Sequence, residues 1–203
     1  MRRFLLLAAL TLGLGCATTM PRARVVLISV DGLWARDLQR AESAGVRLPT
    51  LDSLRRAGEL AAGVIGSFPS VTYPSHTTMI TGVQPARHGV YANGVFVDPS
   101  VRREFSPSYW ESSEIRVPTI FDAARGAGLT VAAVFWPVTA HDSSIQYNIP
   151  DAWDPRPGGA SQLAALRSLG TPWLLDSLNA PAVGQPNDSM RAAWAGAIVR
   201  RLN

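Results

Sequence analysis

Two short stretches of the chain concentrate the residues able to do chemistry. Asp31 closes the apolar run of residues 25–30 (Val-Val-Leu-Ile-Ser-Val) and is followed by Gly32. Where such a run is a strand, a carboxylate at its end stands in the ligand crevice of an open α/β sheet and is poised to hold a cation; the same residue also suits a turn or a helix N-cap. The second stretch, residues 68–82, reads Phe-Pro-Ser-Val-Thr-Tyr-Pro-Ser-His-Thr-Thr-Met-Ile-Thr-Gly. Thr72 lies just ahead of a helix start marked by Pro74. A helix N-terminus offers unpaired N–H groups and partial positive charge, which suits a phosphate. A threonine hydroxyl becomes a nucleophile when its proton is removed, and a metal ion can do that. On position alone, capping the helix is the simpler role for Thr72.

The elements that must position these residues alternate. Residues 25–30 read as a strand buried on both faces, because the run is continuous, apolar and β-branched. Residues 51–57 have helical spacing ending at Gly58, and residues 60–65 read as a weaker strand. A helix is expected from Pro74 to about Ile80, stopped by Gly82, then a polar loop over 93–116 and a helix over 119–127. Residues 130–135 (Thr-Val-Ala-Ala-Val-Phe) form a second expected buried strand. A Pro/Gly-rich loop over 149–160 precedes a mostly helical stretch at 162–178, another loop over 179–186, and a last helix that Asn187 caps. Its apolar face carries Met190, Trp194, Ala197 and Ile198. Strands alternating with helices indicate an α/β fold with a mainly parallel sheet.

Composition bounds the possibilities. The chain has 203 residues, 47% hydrophobic and 17% charged, enough for a real core. Its single cysteine excludes an internal disulfide framework. All basic residues are arginine, and the net charge is +4, with the arginines scattered, so nucleic-acid binding is not expected. Arg2-Arg3 precede an apolar run over 4–14, too short to span a membrane and suited to a secretion signal. Gly15-Cys16 resembles a bacterial lipoprotein cleavage site. Residues 1–20 therefore read as signal and linker, with Cys16 lipidated and attached to a membrane, and residues 21–203 as the folded portion. Loss of Arg2 and Arg3 with the leader brings the charge to +2. The expected location is the periplasm or a bacterial membrane surface; an ordinary periplasmic protein or a buried N-terminal helix is the other reading.

The order of motifs is more specific than any one of them. Val30-Asp31-Gly32, then Phe68-Pro69-x-x-Thr72-Tyr73-Pro74-x-His76, then Thr81-Gly82-x-x-Pro85-x-x-His88-Gly89 through Asn93, resembles the type I phosphodiesterase/nucleotide pyrophosphatase family of the alkaline phosphatase superfamily. Segments 48–54, 117–121, 135–137 and 147–150 are similar to family segments in the same order. The resemblance implies a three-layer α/β/α fold and a metal-dependent hydrolase of phosphodiester or pyrophosphate bonds. It implies that Asp31 and Thr72 ligate one of two zinc ions and that Thr72 is the nucleophile of a covalent phospho-threonine intermediate. Asn93 would donate to a phosphate oxygen, and Tyr73 and Tyr147 would flank a nucleobase. His76 and His88 would support the loop without binding metal, and His141 is not expected to bind it either. Ser70 and Ser75 do not form a serine-hydrolase elbow, since Gly-x-Ser-x-Gly is missing around them.

The resemblance also implies further zinc ligands downstream: an Asp-x-x-x-His pair, an Asp-His dipeptide and a final histidine. No such pattern follows in this sequence, whose last histidine is His141. The chain thus reads as the N-terminal half of a truncated catalytic domain. The alternatives are a non-catalytic exported lipoprotein retaining half the fold, or a phosphomonoesterase of the same superfamily.

Overall fold

The computed structural model describes residues 24–96, 98, 100, 108–152, 162–181 and 184–202. The leader and Cys16 lie outside these residues.

At the centre is a parallel pair of strands, β1 (Ala132–Trp136) and β2 (Tyr147–Pro150), in register Ala132 to Tyr147 through Val134 to Ile149. Helices cover both of its faces. On one side, Val131, Ala133 and Trp136 pack with Ile80 of α3 (Thr72–Thr81) and Phe121 of α5 (Ile120–Gly126). On the other, Ile149 packs with Leu163 and Leu166 of α6 (Gln162–Leu169), Leu174 and Leu175 of α7 (Leu174–Ser177), and Trp194 and Ile198 of α8 (Asp188–Arg201). Ala132, Val134 and Phe135 lie against that second cluster. This is the expected α/β/α layering around parallel strands.

Residues 132–134 alternate between the two faces as a pleated strand requires. The alternation then breaks. The register shifts between Val134 and Trp136, and Phe135 takes φ 52°. A bulge of this kind moves every later side chain to the opposite face. Phe135 therefore stays on the α8 side, where its ring stacks on Trp194 at 6.2 Å, and Trp136 turns to the α3 side.

The helices begin where local chemistry satisfies their first N–H groups. Thr119 accepts from Asp122 N at 3.2 Å while the Asp122 carboxylate accepts from Thr119 N at 2.7 Å, a reciprocal capping box. Asn187 Oδ1 accepts from Met190 N at 2.9 Å, so the expected cap of α8 is present. Gly82 ends α3 at φ 68°, a left-handed conformation that glycine adopts without a Cβ clash. The stretch expected as mostly helix over 162–178 divides at Gly170 into α6 and α7. An ideal Cβ on Gly170 would sit 2.4 Å from the Asn148 carbonyl oxygen, so the helix closes directly onto β2 there.

Two expectations are corrected. Residues 25–30 were expected as a buried strand; they run without strand pairing, with Val25 92% and Ile28 75% exposed. Residues 60–65 are likewise unpaired, with Ile65 fully exposed. A strand needs a neighbour for its backbone hydrogen bonds, and among the described residues none lies beside either run. The polar helix α1 (Ala35–Ser43) was not expected; α2 (Pro49–Ala57), expected from residue 51, buries none of its residues. β2 falls where a loop was expected from residue 149 onward.

Candidate active site

Thr72 is the first residue of α3, and Val71, not Thr72, is its N-cap, without a side-chain cap bond. The Thr72 hydroxyl is thus not spent on the helix. Its Oγ1 donates to Asp31 Oδ2 at 3.1 Å, joining two residues 41 positions apart. Thr72 is half-buried and Asp31 is exposed, so the pair faces solvent.

The next N–H of the helix is taken by Asn93. Tyr73 N donates to Asn93 Oδ1 at 2.9 Å. A backbone N–H can only donate, so the contact fixes the carboxamide oxygen on this side and presents Nδ2 as the donor on the other. Pro74 has no N–H at all. Of the first-turn donors, only the Thr72 N–H lacks a partner among the described residues. The site therefore groups a hydroxyl, an adjacent backbone N–H at a helix N-terminus, a carboxamide donor and a carboxylate. Three of these can face an anion; the fourth can face a cation or accept the hydroxyl proton.

The histidines brace this arrangement. His76 Nδ1 stands 2.8 Å from Thr72 O, which can only accept, so Nδ1 carries the proton; the ring meets Trp136 edge-on at 5.0 Å. His88 is fully buried. Its Nδ1 accepts from Val90 N at 3.1 Å, which leaves Nε2 to donate to Thr78 Oγ1 at 3.1 Å. Burial pushes its pKa down, and the ring stays neutral. His141, away from this site, lies 2.8 Å from Glu111 Oε2 and 3.1 Å from Ser168 O. Ser75 shares a weak contact with Ser67 at 3.4 Å.

The two tyrosines lie in different clusters. Tyr73 is buried with Val90 and Val138, and its hydroxyl donates to Asp151 O at 3.3 Å. Burial, with the Asp151 charge nearby, pushes its pKa upward. Tyr147 packs edge-on against Trp173 at 5.7 Å.

One residue beside this site was missed from the sequence. Asp151 is half-buried, and burial raises its pKa despite the opposing charges of Arg191 and His76; the Asp31 carboxylate raises it further. It directly follows β2, so its position at a strand's carboxyl end was the available signal. No group of three or more His, Cys, Asp or Glu side chains able to hold a metal occurs among the described residues. Asp31 and Thr72 supply two oxygens, short of the three or four protein ligands usual for zinc, so the residues present do not fit a zinc ion by themselves.

The α/β fold thus sets a threonine hydroxyl at a helix N-terminus against an aspartate. A profile of the family "Type I phosphodiesterase / nucleotide pyrophosphatase" matches residues 25–180, and the chain belongs to that family. It is 32% identical over 129 residues to an uncharacterized pyrophosphatase/phosphodiesterase of Schizosaccharomyces pombe, covering 59% of this chain and 24% of that protein. It is 28% identical over 137 residues to ectonucleotide pyrophosphatase/phosphodiesterase family member 3 of Bos taurus, covering 64% and 14% respectively. Venom phosphodiesterase 2 of Crotalus adamanteus is 30% identical over 128 residues, 60% of this chain and 15% of the relative. The matched stretch thus spans less than a quarter of each of these relatives.

Proposed function

We propose that the chain carries the nucleophile half of a hydrolase acting on phosphodiester or pyrophosphate bonds. The observation that carries this reading is the Thr72 hydroxyl, released from capping and held 3.1 Å from Asp31 beside a helix N–H that has no partner among the described residues. In it, the Thr72 oxygen bonds to phosphorus as its proton passes to the Asp31 carboxylate. The P–O bond to the alcohol or phosphate leaving group breaks, and that group departs with a proton. Water then displaces the threonine oxygen, releasing the phosphoryl product and restoring the hydroxyl. The Thr72 N–H and Asn93 Nδ2 receive charge developing on the phosphoryl oxygens. Tyr147, half-buried, is assigned to the nucleotide side of the substrate as the family resemblance implies; Tyr73, which the resemblance places there too, is buried with its hydroxyl on Asp151 O and offers no open face to a nucleobase. The relatives' names, "ectonucleotide" and "venom" phosphodiesterase, support a phosphodiester or nucleotide substrate and an exported protein. With Cys16 lipidated, the protein sits on a bacterial membrane surface facing the periplasm.

Zinc belongs to this reading only with ligands beyond Asp31 and Thr72, and none of the steps above is routed through it. The same shortage favours a second reading, a non-catalytic exported lipoprotein that keeps the fold. Reading the gene past codon 203 in all three frames separates the two. An Asp-x-x-x-His pair and an Asp-His dipeptide there support the hydrolase. The protein extended by that frame should hydrolyse a nitrophenyl nucleotide, and Thr72→Ala should abolish turnover. Near wild-type rates in Thr72→Ala remove Thr72 from the nucleophile role.

A further inference from the structure

Asn93 is exposed and belongs to no helix or strand, so its place beside Thr72 depends on what holds it. Tyr73 N donates to its side chain, and Tyr109 N donates to its backbone oxygen at 3.2 Å. We propose that residues 108–112 form a strap that positions Asn93, and that His141 pins this strap more firmly when its ring is protonated. The use of Asn93 on a phosphoryl oxygen rests on the hydrolase reading; the coupling of His141 to Asn93 does not.

The strap meets the site at one end and His141 at the other. At the first end Gly94 and Ser108 form an antiparallel bridge. Tyr109 and Trp110 pack there against the cluster of Tyr73, Val90 and Val138, and Tyr73 is the residue after Thr72. At the second end Ala140 N donates to Trp110 O at 2.8 Å, and Ser112 N donates to Ala140 O at 3.1 Å. Glu111 is thereby bridged to Ala140, and its Oε2 stands 2.8 Å from the Nδ1 of the next residue, His141. On its other side the ring meets Ser168 O at 3.1 Å, while His141 N donates to Leu169 O at 2.9 Å. One imidazole thus ties the strap to the C-terminal end of α6.

Protonation decides how many of these ties hold at once. A carboxylate and a carbonyl oxygen only accept, so both are satisfied only by the two N–H groups of an imidazolium. A neutral ring carries one N–H and sets a nitrogen lone pair against the other oxygen. The Glu111 contact raises the His141 pKa above its ordinary value. Asp122 of α5 and Asp142 line the same cleft as His141, and the Glu114 carboxylate accepts from Glu111 N at 3.1 Å. All three are acidic and favour the charged ring. Arg167 of α6 is turned away onto Asp176, at 3.0 Å.

Amide hydrogen exchange by NMR on the complete 203-residue chain reads the coupling without turnover. Between about pH 5 and 9, protection factors of the Tyr73 and Tyr109 N–H groups should fall at least ~3-fold, in step with the His141 ring resonances. The Trp194 N–H, inside α8, should not follow that curve. In His141→Gln and in Glu111→Gln the step should vanish at both tyrosines. His141 is exposed, so its variant keeps the fold, which far-UV circular dichroism checks. Protection at the two tyrosines that ignores the His141 titration overturns the proposal, as does a Tyr109 N–H unprotected at every pH. A change shared equally by Trp194 overturns it too, since that reports global stability alone. An Asn93 without a catalytic role would leave all these rates unchanged, so failure of the coupling and failure of the hydrolase reading are seen separately.

Discussion

The Thr72 hydroxyl donates to the Asp31 carboxylate at 3.1 Å, across 41 residues of sequence. A neutral hydroxyl can make this bond; an alkoxide cannot, and would repel the carboxylate. The pair thus describes a resting threonine still holding its proton, next to the group best placed to receive it or to hold a cation that displaces it.

The first prediction concerns that pair in the chain itself. With Asp31 and Thr72 as ligands and no group of three or more His, Cys, Asp or Glu side chains among the described residues, the 203-residue protein should show no zinc-dependent hydrolysis of a nitrophenyl nucleotide. Steady turnover that a chelator abolishes would show that ligands outside the described residues complete the site.

Asn93 separates structure from chemistry. Asn93→Ala leaves the Tyr73 N–H without its acceptor and should lower stability by about 1 kcal/mol in a urea titration. Asn93→Asp keeps an acceptor and removes the Nδ2 donor. It should unfold close to the wild-type midpoint, and in an active extended protein it should lose turnover as Asn93→Ala does. Full turnover in Asn93→Asp would end the role of Nδ2 as an oxyanion donor.

Two histidines shape the acid-to-neutral stability profile in opposite ways. Burial lowers the pKa of His88, so the unfolded chain binds its proton first; stability should fall as pH drops below about 6.5. The Glu111 carboxylate raises the pKa of His141, and both of its ring partners accept, so the imidazolium satisfies both. Its contribution is present below about 6.5 and fades as pH rises through its raised folded value. Thermal melts from pH 5 to 8 should lose the acid-side decline in His88→Gln and the neutral-side decline in His141→Gln. Unchanged profile shapes would show that other groups set the pH dependence.

Asn187 opens a sequence matching a glycosylation acceptor, yet its Oδ1 accepts from Met190 N. Asn187→Ala should cost about 1 kcal/mol, while Asn187→Ser, which also caps, should cost little. Equal losses in both variants, by chemical denaturation, would contradict a capping role.

Much of the candidate site was legible because its signals are local. Pro74 and Gly82 bracket a helix whatever surrounds it, and Thr119 and Asn187 cap with atoms a few residues away. The spacing of Asp31 and Thr72 meant nothing physically until the fold joined them. Residues 25–30 show the limit from the other side: an apolar run states a need for partners and cannot supply them. β2 was hidden for the converse reason. Tyr147–Pro150 is four residues ending in proline, a poor strand by itself, and it is extended because β1 provides its hydrogen bonds. Asp151 was missed along with it, since a residue gains meaning at a strand end only when the strand is seen. α1 was overlooked because its nine residues are mostly polar, its one large apolar residue being Leu38.

The bulge at Phe135 also makes β1 sensitive to length more than to composition. Substituting Ala132 or Val134 changes how much space is filled on one side. Deleting one residue from the bulge would instead exchange the destinations of Phe135 and Trp136. Arg191 would lose the ring beneath it and His76 the indole at its edge. A single codon lost there would disturb the Thr72 helix and the packing against α8 together, though neither Thr72 nor Trp194 had changed.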